Sequence, residues 1–251
     1  MRKNEPEGHS RYLYPGKIIM TMANSITRHI PNTITCCNLL SGCMAVMAAF
    51  NADAWHTLLW VVAGSLFDFC DGLSARLFKA YSPIGKELDS LADLITFGLA
   101  PSVLCVMTLR QFNYATDTIA TILPYIGLVI VVCAALRLAK FNTDERQTSS
   151  FLGLAVPANA LLVCGLFQFN LIDLPGAPGF IVPVVIFFSW LMTSEIPMFS
   201  LKFKNLRWAD NKVRFIFLIV AAIILIILRE KGLSAVIVWY IILSVLTKGQ
   251  H

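Results

Sequence analysis

The chain has 251 residues, of which 57% are apolar and 14% are charged, and its mean hydropathy is +0.71. Soluble domains carry roughly 25% charged residues, so this composition excludes a soluble globular domain and predicts a membrane protein. The net charge of +5 does not indicate a nucleic-acid-binding surface, because the basic residues lie in short segments between long apolar runs.

The N-terminal region is polar. Residues 1–16 lack an apolar stretch followed by a small-residue cleavage site, so we expect no cleavable signal peptide. Between Lys17 and His29, apolar residues recur at helical spacing beside basic ones, which predicts a short amphipathic helix at the membrane interface. We therefore interpret residues 1–29 as a polar tail and a juxtamembrane helix, and residues 30–251 as a single membrane domain.

Eight apolar stretches follow, and each is predicted to cross the membrane as a helix. They are Asn32–Phe50, Trp55–Phe78, Leu88–Leu109, Thr118–Leu138, Phe151–Leu171, Phe180–Ile196, Phe215–Leu228 and Ser234–Leu246. The last two are shorter than the roughly 20 residues that a perpendicular span needs. The pattern predicts an all-α polytopic membrane protein with about eight transmembrane helices.

The distribution of Lys and Arg predicts the orientation. With both termini in the cytoplasm, 17 of the 20 Lys and Arg residues lie on the cytoplasmic side, and only Arg110, Arg229 and Lys231 lie outside. Positive residues are enriched in cytoplasmic loops, so this orientation is strongly favoured. We expect an integral protein of the bacterial cytoplasmic membrane.

Four aspartates, Asp68, Asp71, Asp89 and Asp93, lie in or beside apolar spans. A carboxylate in such a place is unfavourable unless it is paired or bound to a cation, so each is a candidate functional residue. One face of the second span carries Asp68, Asp71, Gly72 and Ala75, at i, i+3, i+4 and i+7. One face of the third span carries Gly85, Asp89 and Asp93.

The connection between these two spans is short, which predicts antiparallel neighbouring helices with facing carboxylates. One or two hard cations such as Mg²⁺ would neutralise them through oxygen ligands. No His or Cys lies at ligand spacing, which disfavours zinc. Small residues at Gly72, Ala75 and Gly85 would let a phosphate-bearing ligand approach the backbone, and Arg76 adds positive charge nearby. The acids alone do not distinguish catalysis from a transporter's cation pathway or from polar contacts between helices.

The chain resembles the CDP-alcohol phosphotransferase family, whose signature it matches at every defining position as Asp68-x₂-Asp71-Gly72-x₂-Ala75-Arg76-x₈-Gly85-x₃-Asp89-x₃-Asp93. The resemblance implies a helical membrane fold with six core spans, commonly homodimeric, around a site for two divalent cations. It implies that all four aspartates are metal ligands and that Asp93 is also the general base. It further implies a CDP-binding role for Gly72, Ala75, Arg76 and Gly85.

Three further segments resemble the phosphatidylserine synthase branch of this family, and the resemblance covers roughly residues 30–160. They are Ile30-Pro31-Asn32-x₂-Thr35-x₂-Asn38-Leu39-x₂-Gly42, Leu88-Asp89-Ser90-Leu91-Ala92-Asp93 and Arg137-Leu138-Ala139-Lys140-Phe141-Asn142. The branch implies transfer of the phosphatidyl group of CDP-diacylglycerol to L-serine, with release of CMP. One departure is Ala155-Val156-Pro157, where the branch has Pro-x-Pro, and it leaves the local backbone shape open.

Two groups of polar residues are candidates for substrate binding. Arg137, Lys140 and Asn142 are expected to hold the acceptor or the lipid phosphate, although the two basic residues would also serve as topology anchors. Asn32, Thr35 and Asn38, at i, i+3 and i+6, are expected to reach the CDP group, or else to cap and cross-link helices.

Three hypotheses remain open. The first is phosphatidyl transfer to serine, and the second is the same reaction with glycerol 3-phosphate or inositol as acceptor. The third is a cation transporter that uses the aspartates. The expected ligands are CDP-diacylglycerol, L-serine, membrane lipids and two divalent cations, Mg²⁺ or Mn²⁺, with Ca²⁺ also compatible. A second copy of the chain is the expected protein partner, and no nucleic acid is expected.

Overall fold

The structure is a computed structural model that describes residues 29–143, 151–171, 174, 176–198 and 208–247. The predicted polar tail and amphipathic helix of residues 1–29 lie, apart from His29, outside the described residues. Within the described part, nearly every residue belongs to a helix or a short turn.

Ten α-helices make up the described part of the chain: α1 (Ile30–Phe50), α2 (Ala54–Leu77), α3 (Pro83–Asp93), α4 (Ala100–Leu109), α5 (Asp117–Ile122), α6 (Leu128–Thr143), α7 (Val156–Leu166), α8 (Ala177–Thr193), α9 (Trp208–Leu228) and α10 (Gly232–Leu246). A π-helical turn, Leu94–Leu99, joins α3 to α4. Turns of 3₁₀-helix, Leu123–Gly127 and Arg229–Lys231, precede α6 and α10. Two short strands, β1 (Phe151–Leu152) and β2 (Pro197–Met198), pair antiparallel.

Within the described residues, five helical stretches are long and apolar enough to cross a membrane: Ile30–Phe50, Ala54–Leu77, Pro83–Leu109, Asp117–Thr143 and Asn211–Leu246. Two shorter apolar helices, α7 and α8, accompany them. The prediction of an all-α polytopic membrane protein is confirmed.

The last of these stretches is a helical hairpin rather than one straight helix. Arg229 has a φ of +51°, which reverses the chain between α9 and α10. The rings of Phe217 on α9 and Tyr240 on α10 then meet edge to face with centroids 5.9 Å apart. Helices α9 and α10 correspond to the last two predicted spans, Phe215–Leu228 and Ser234–Leu246. The total of eight membrane crossings stays a prediction.

Loop contacts occur at both ends of the bundle. At one end, Lys140 Nζ at the end of α6 pairs with Glu195 Oε1 after α8, at 3.1 Å. At the other end, Gln168 Nε2 after α7 donates a 2.7 Å hydrogen bond to the carbonyl of Ala54 at the start of α2. Helices that cross a membrane in alternating directions have their connecting loops at the two ends of the bundle, and these two contacts agree with that arrangement.

Helix α1 lies at the centre of the region that holds the acidic residues. It packs along both α2 and α3, whereas direct contacts between α2 and α3 are sparse. Its buried face carries small and polar residues, among them Thr35, Asn38, Gly42, Ala45 and Ala49. Small side chains on this face allow close approach of the neighbouring helices.

The boundaries of α3 follow from local sequence signals. Ser82 caps its N-terminus by accepting a 3.0 Å hydrogen bond from the Gly85 N–H, and Pro83 occupies the first helical position. At the other end, Pro101 lacks an N–H, and its ring would clash with the carbonyl of Phe97 in a regular helix. The π-helical turn that includes Phe97 accommodates this proline and sets the register of α3 against α4.

Ala155 has a backbone conformation that the proline of the related branch would also fit. Ala155 precedes α7 with φ −64° and ψ 142°, an extended conformation that proline also adopts. Pro157 occupies the first turn of α7, where a missing N–H is tolerated.

Candidate active site

Three of the four aspartates meet at one point in the structure. Carboxylate oxygens of Asp68 and Asp71 on α2 and of Asp89 on α3 all lie within 4.8 Å of one another. Among the described residues, no Lys, Arg or His forms a salt bridge with any of the three. We call Asp68, Asp71 and Asp89 the aspartate triad.

The aspartate triad fits a hard divalent cation. Oxygens around one Mg²⁺ ion are separated by up to about 4 Å, and around Ca²⁺ by up to about 5 Å, which is the scale of this cluster. Oδ1 of Asp89 is buried and has no hydrogen-bond partner among the described residues. A buried carboxylate oxygen of this kind needs a cation or a donor to offset its lost hydration. The cluster can therefore hold a metal ion.

Helix α1 supplies a hydrogen bond to the aspartate triad. Thr35 Oγ1 donates to Asp71 Oδ2 at 2.7 Å, and both side chains are buried. The same hydroxyl also lies 3.0 Å from the carbonyl oxygen of Pro31, one turn earlier in α1. Thr35 therefore holds one oxygen of a predicted metal ligand in place.

Asp93 occupies a separate position. It is buried, with 8% of its surface exposed, and its oxygens do not belong to the aspartate triad. Asn38 Nδ2 on α1 donates a 3.0 Å hydrogen bond to Asp93 Oδ1. Asp93 still lies within electrostatic range of the triad carboxylates. Its predicted roles, as a fourth ligand and as general base, stay predictions.

A cavity of about 480 Å³ opens beside the aspartate triad, within the usual size range of small-ligand pockets. Its lining comes from α1, the end of α2, the α2–α3 loop and the start of α3: Pro31, Asn32, Thr35, Asp71, Gly72, Ala75, Ala80, Tyr81, Ser82, Pro83, Gly85, Lys86 and Asp89. Because Asp71 and Asp89 form part of this wall, a ligand in the cavity would contact any cation held by the triad.

Most of the residues predicted to bind CDP line this cavity, namely Asn32, Thr35, Gly72, Ala75 and Gly85. Arg76 is not part of the lining. Its Nε donates a 2.9 Å hydrogen bond to the Gly72 carbonyl, and its side chain is exposed.

The two glycines of the cavity have different surroundings. Among the described residues, a Cβ at Gly72 would have only Arg76 Nη2 nearby, at 3.8 Å, so on this part of the chain the space beside Gly72 is open to a ligand. A Cβ at Gly85 would lie 2.9 Å from both Asn32 Oδ1 and Ser82 Oγ. Gly85 therefore leaves room for the Asn32 and Ser82 side chains, and its small size also keeps the cavity open.

The predicted acceptor-binding residues lie at the end of α6. Arg137 is buried, and its guanidinium lies 5.4 Å from the centre of the Phe141 ring. Lys140 pairs with Glu195, and Asn142 Nδ2 donates a 2.8 Å hydrogen bond to Ser90 Oγ on α3. None of these residues lines the cavity.

The α2–α3 loop and the first turn of α3 contribute residues to this site that the sequence pattern does not single out. Tyr81, Ser82 and Lys86 line the cavity, and Lys86 Nζ donates a 2.8 Å hydrogen bond to the carbonyl of Asn142. The Ser82-Pro83 pair is a helix-start signal, and it places this loop at the mouth of the site.

Comparison with known proteins gives a consistent result. The sequence profile described as CDP-alcohol phosphatidyltransferase matches residues 28–247. The chain is 36% identical over 174 residues to the CDP-diacylglycerol–serine O-phosphatidyltransferase of Bacillus subtilis (strain 168), covering 67% of this chain and 88% of that protein. It is 29% identical over 221 residues to the enzyme of the same name from Helicobacter pylori (strain 26695), covering 86% and 89%.

A more distant relative is archaeal. The archaetidylserine synthase of Methanothermobacter thermautotrophicus is 28% identical over 140 residues, which cover 55% of this chain and 57% of that protein. The family profile covers nearly the whole of the described structure, including the aspartate triad and the cavity. The chain belongs to the CDP-alcohol phosphatidyltransferase family.

Proposed function

We propose that this chain is an enzyme that transfers the phosphatidyl group of CDP-diacylglycerol to the hydroxyl of L-serine, giving phosphatidylserine and CMP. One observation carries the proposal: two members of the aspartate triad form part of the wall of a cavity of about 480 Å³. A pyrophosphate in that cavity would lie against the carboxylates that can hold a metal ion. The names of the relatives from Bacillus subtilis and Helicobacter pylori support serine as the acceptor.

The aspartate triad is the proposed holder of divalent metal, with Asp93 as a further ligand; two ions, Mg²⁺ or Mn²⁺, agree best with the family resemblance. Bound there, divalent metal would neutralise the pyrophosphate and the charge that develops on the leaving phosphate. Thr35 fixes the orientation of Asp71 by its hydrogen bond. Asn32, Gly72, Ala75 and Gly85 form the walls against which the CDP group lies, and Arg76 stands at the cavity edge.

Asp93 is the proposed general base. Its Oδ1 accepts the Asn38 hydrogen bond, and Oδ2 has no hydrogen-bond partner among the described residues. In the reaction, Oδ2 takes the proton from the serine hydroxyl as the serine oxygen bonds to the lipid-side phosphorus. The bond from that phosphorus to the CMP oxygen breaks in the same in-line step, and CMP leaves with the bonding electrons.

Arg137, Lys140 and Asn142 are the proposed acceptor-side residues. A guanidinium binds a carboxylate through paired hydrogen bonds, which suits Arg137 for the carboxylate of serine or for the lipid phosphate. Burial of Arg137 strengthens such an interaction. The hydrogen bond from Asn142 to Ser90 connects this end of α6 to α3, which carries Asp89 and Asp93.

The proposed topology has eight spans, with both termini and the active site in the cytoplasm of a bacterium. The bias of Lys and Arg supports it, and nucleotide substrates are available on that side. Residues 30–251 form one membrane domain in this proposal, and the family profile over residues 28–247 supports that extent. The family resemblance supports a homodimer.

An acceptor panel tests the proposed function. Purified protein in mixed micelles with CDP-diacylglycerol and Mn²⁺ is offered serine, glycerol 3-phosphate or inositol, and CMP and the lipid product are measured. CMP release with serine, matched by phosphatidylserine, is expected. CMP release with one of the other acceptors in place of serine would support a sister activity of the same family.

A liposome assay separates the transporter hypothesis from the enzyme hypothesis. The protein is reconstituted without CDP-diacylglycerol, and entry of Mn²⁺ is followed with an enclosed metal-sensitive dye. The enzyme proposal predicts no flux above that of empty liposomes. Flux without any CMP-forming activity would replace the proposal with a cation pathway.

A further inference from the structure

Asn38 connects α1 directly to the proposed base. Its side chain is completely buried, and Nδ2 donates the 3.0 Å hydrogen bond to Asp93 Oδ1. A hydrogen bond from an amide to a buried carboxylate is charge-assisted and stronger than a neutral one. Asn38 does not line the cavity, so the structure places it on Asp93 rather than on a nucleotide.

Asn38 is itself held by the segment that follows Asp93. Thr96 Oγ1, in the π-helical turn, donates a 3.1 Å hydrogen bond to the backbone carbonyl of Asn38. Thr96 is completely buried. The side chain of Asn38 thus binds Asp93 while its backbone binds Thr96, three residues further along the chain. The two bonds fix α1 against the end of α3 at two points.

Two glycines make room for Thr96. A Cβ at Gly42 on α1 would lie 2.9 Å from the Thr96 backbone N and Cα, and closer still to its Oγ1. A Cβ at Gly64 on α2 would collide with Thr96 Cγ2 and would lie 3.0 Å from Asn38 Oδ1. Thr96 is therefore enclosed between α1 and α2 and has little freedom to move.

We infer that Asn38 is a positioning residue for Asp93, and that Thr96 holds Asn38 in the required place. The Asn38 amide binds Oδ1 and so fixes the plane of the carboxylate and the direction of Oδ2, which takes the proton of the serine hydroxyl. The second lone pair of Oδ1 is left for a metal ion. Without the amide, the carboxylate would be free to rotate within its buried site, and the reacting oxygen would lose its fixed direction. This inference rests on the proposed function. Misplacement of a reacting group by about 1 Å can reduce a rate by about 100-fold.

Two substitutions test this arrangement, each with a matched control. Asn38→Leu removes the amide at nearly constant size, and Asn159→Leu is its control. Asn159 is also completely buried, but its side chain has no hydrogen-bond partner among the described residues. Thr96→Val removes one hydroxyl that bonds to a backbone carbonyl. Its control is Ser102→Ala, because Ser102 Oγ makes a buried 2.9 Å bond to the Gly127 carbonyl away from the site.

The experiment measures kcat, KM for each substrate, Mn²⁺ binding by electron paramagnetic resonance, and the thermal unfolding midpoint. We expect Asn38→Leu to lower kcat by about 10–100-fold, with KM for CDP-diacylglycerol and the unfolding midpoint close to those of Asn159→Leu. Thr96→Val should lower kcat to a smaller extent, and Ser102→Ala should leave it unchanged. Bound Mn²⁺ should remain in both test variants.

Unchanged kcat in Asn38→Leu would overturn the inference, as would a raised KM for CDP-diacylglycerol at normal kcat. If Asn38→Leu does not fold, the test rests on Thr96→Val. In that case, a kcat of Thr96→Val that is no lower than the kcat of Ser102→Ala overturns the inference. Wild-type protein that releases no CMP with serine contradicts the proposed function instead, so the two failures are distinguishable.

Discussion

Thr35 on α1 donates a 2.7 Å hydrogen bond to Oδ2 of Asp71 on α2. This bond joins the helix that contributes no aspartate to the site with the helix that contributes two. Because the acceptor is a carboxylate in a buried place, the bond is strong and limits rotation of the Asp71 side chain. Thr35 also lines the cavity, so one residue serves both the proposed metal site and the proposed nucleotide site.

Replacement of Thr35 by valine should therefore lower the affinity for metal more than it lowers the stability of the fold. Valine keeps the branched shape but lacks the hydroxyl that holds Asp71 Oδ2. Loss of a hydrogen bond to a metal-binding carboxylate typically reduces metal affinity or activity by about 10–100-fold. The measurement is the Mn²⁺ concentration that gives half-maximal CMP release with serine.

Thr33→Val is the matched control, because Thr33 Oγ1 makes an exposed hydrogen bond to the His29 carbonyl in the same helix. It should leave the Mn²⁺ dependence at the wild-type value. Equal Mn²⁺ dependence in both threonine variants would show that the Asp71 bond has no role in metal binding.

The two cavity glycines should respond differently to alanine. Gly72→Ala adds a methyl group whose one near neighbour in the described part of the chain is Arg76 Nη2, at 3.8 Å, so the protein should fold at least as stably as wild type. The methyl group takes space from the ligand, and KM for CDP-diacylglycerol should rise. The measurements are KM and the thermal unfolding midpoint in the same detergent.

Gly85→Ala should instead destabilise the fold. The added methyl group would lie 2.9 Å from both Asn32 Oδ1 and Ser82 Oγ, so both side chains must shift. Displacement of Ser82 Oγ from the Gly85 N–H weakens the N-terminal cap of α3, which costs about 1 kcal/mol. The unfolding midpoint should fall below that of Gly72→Ala. The reverse order of the two midpoints would contradict the described contact between α3 and α1.

The sequence pattern predicts which acidic residues share a helix face. Helical spacing placed Asp68 and Asp71 on one face, and the structure brings both together with Asp89. The detailed packing was less predictable. The antiparallel pair expected of the second and third spans has few direct contacts, because α1 packs along both helices and a cavity remains between them. Residue spacing shows which residues share one face of a helix, but it does not show which neighbouring helix packs against that face.

The sequence also does not predict which polar side chains form hydrogen bonds with each other. Asn38 lies 55 residues from Asp93, and no local rule connects the two. Pro101 indicates a local irregularity in this span, because its missing N–H disrupts a regular helix, and the π-helical turn lies just before it. Hydropathy alone predicts one continuous helical span there. Ser82 and Pro83 likewise marked the start of α3 five or six residues before the apolar stretch from Leu88.

Close packing around Thr96 predicts a strong effect of Gly42→Ala on stability. The new methyl group would overlap the Thr96 side chain and lie 2.9 Å from its backbone. We expect a loss of about 1–3 kcal/mol in the free energy of unfolding. Gly179→Ala is the control, since no atom of the residues that the structure describes lies within 4 Å of the Cβ position there. Unfolding in urea, followed by tryptophan fluorescence, measures both variants, and equal stability would contradict the enclosed position of Thr96.

Arg137→Lys should raise KM for serine while KM for CDP-diacylglycerol stays constant. Lysine keeps the positive charge but loses the planar pair of donors that suits a carboxylate. Arg110→Lys is the control, because Arg110 donates a 2.5 Å hydrogen bond to Tyr125 at the opposite end of the bundle. A normal serine KM in Arg137→Lys would remove Arg137 from the acceptor site, and a raised KM for CDP-diacylglycerol alone would assign it to the lipid phosphate.

In the proposed reaction, carboxylates from α2 and α3 jointly hold a cation on which phosphatidyl transfer depends. Serine-dependent CMP release is measured as a function of Mn²⁺ concentration in wild-type protein and in Asp89→Asn, because Asp89 belongs to the aspartate triad and its buried Oδ1 has no hydrogen-bond partner among the described residues. We expect saturable activation of the wild type by Mn²⁺, and a loss of activity in Asp89→Asn that exceeds the loss of about 10–100-fold expected for Thr35→Val. Wild-type rates with an unchanged Mn²⁺ dependence in Asp89→Asn would show that the aspartate triad holds no cation needed for the reaction.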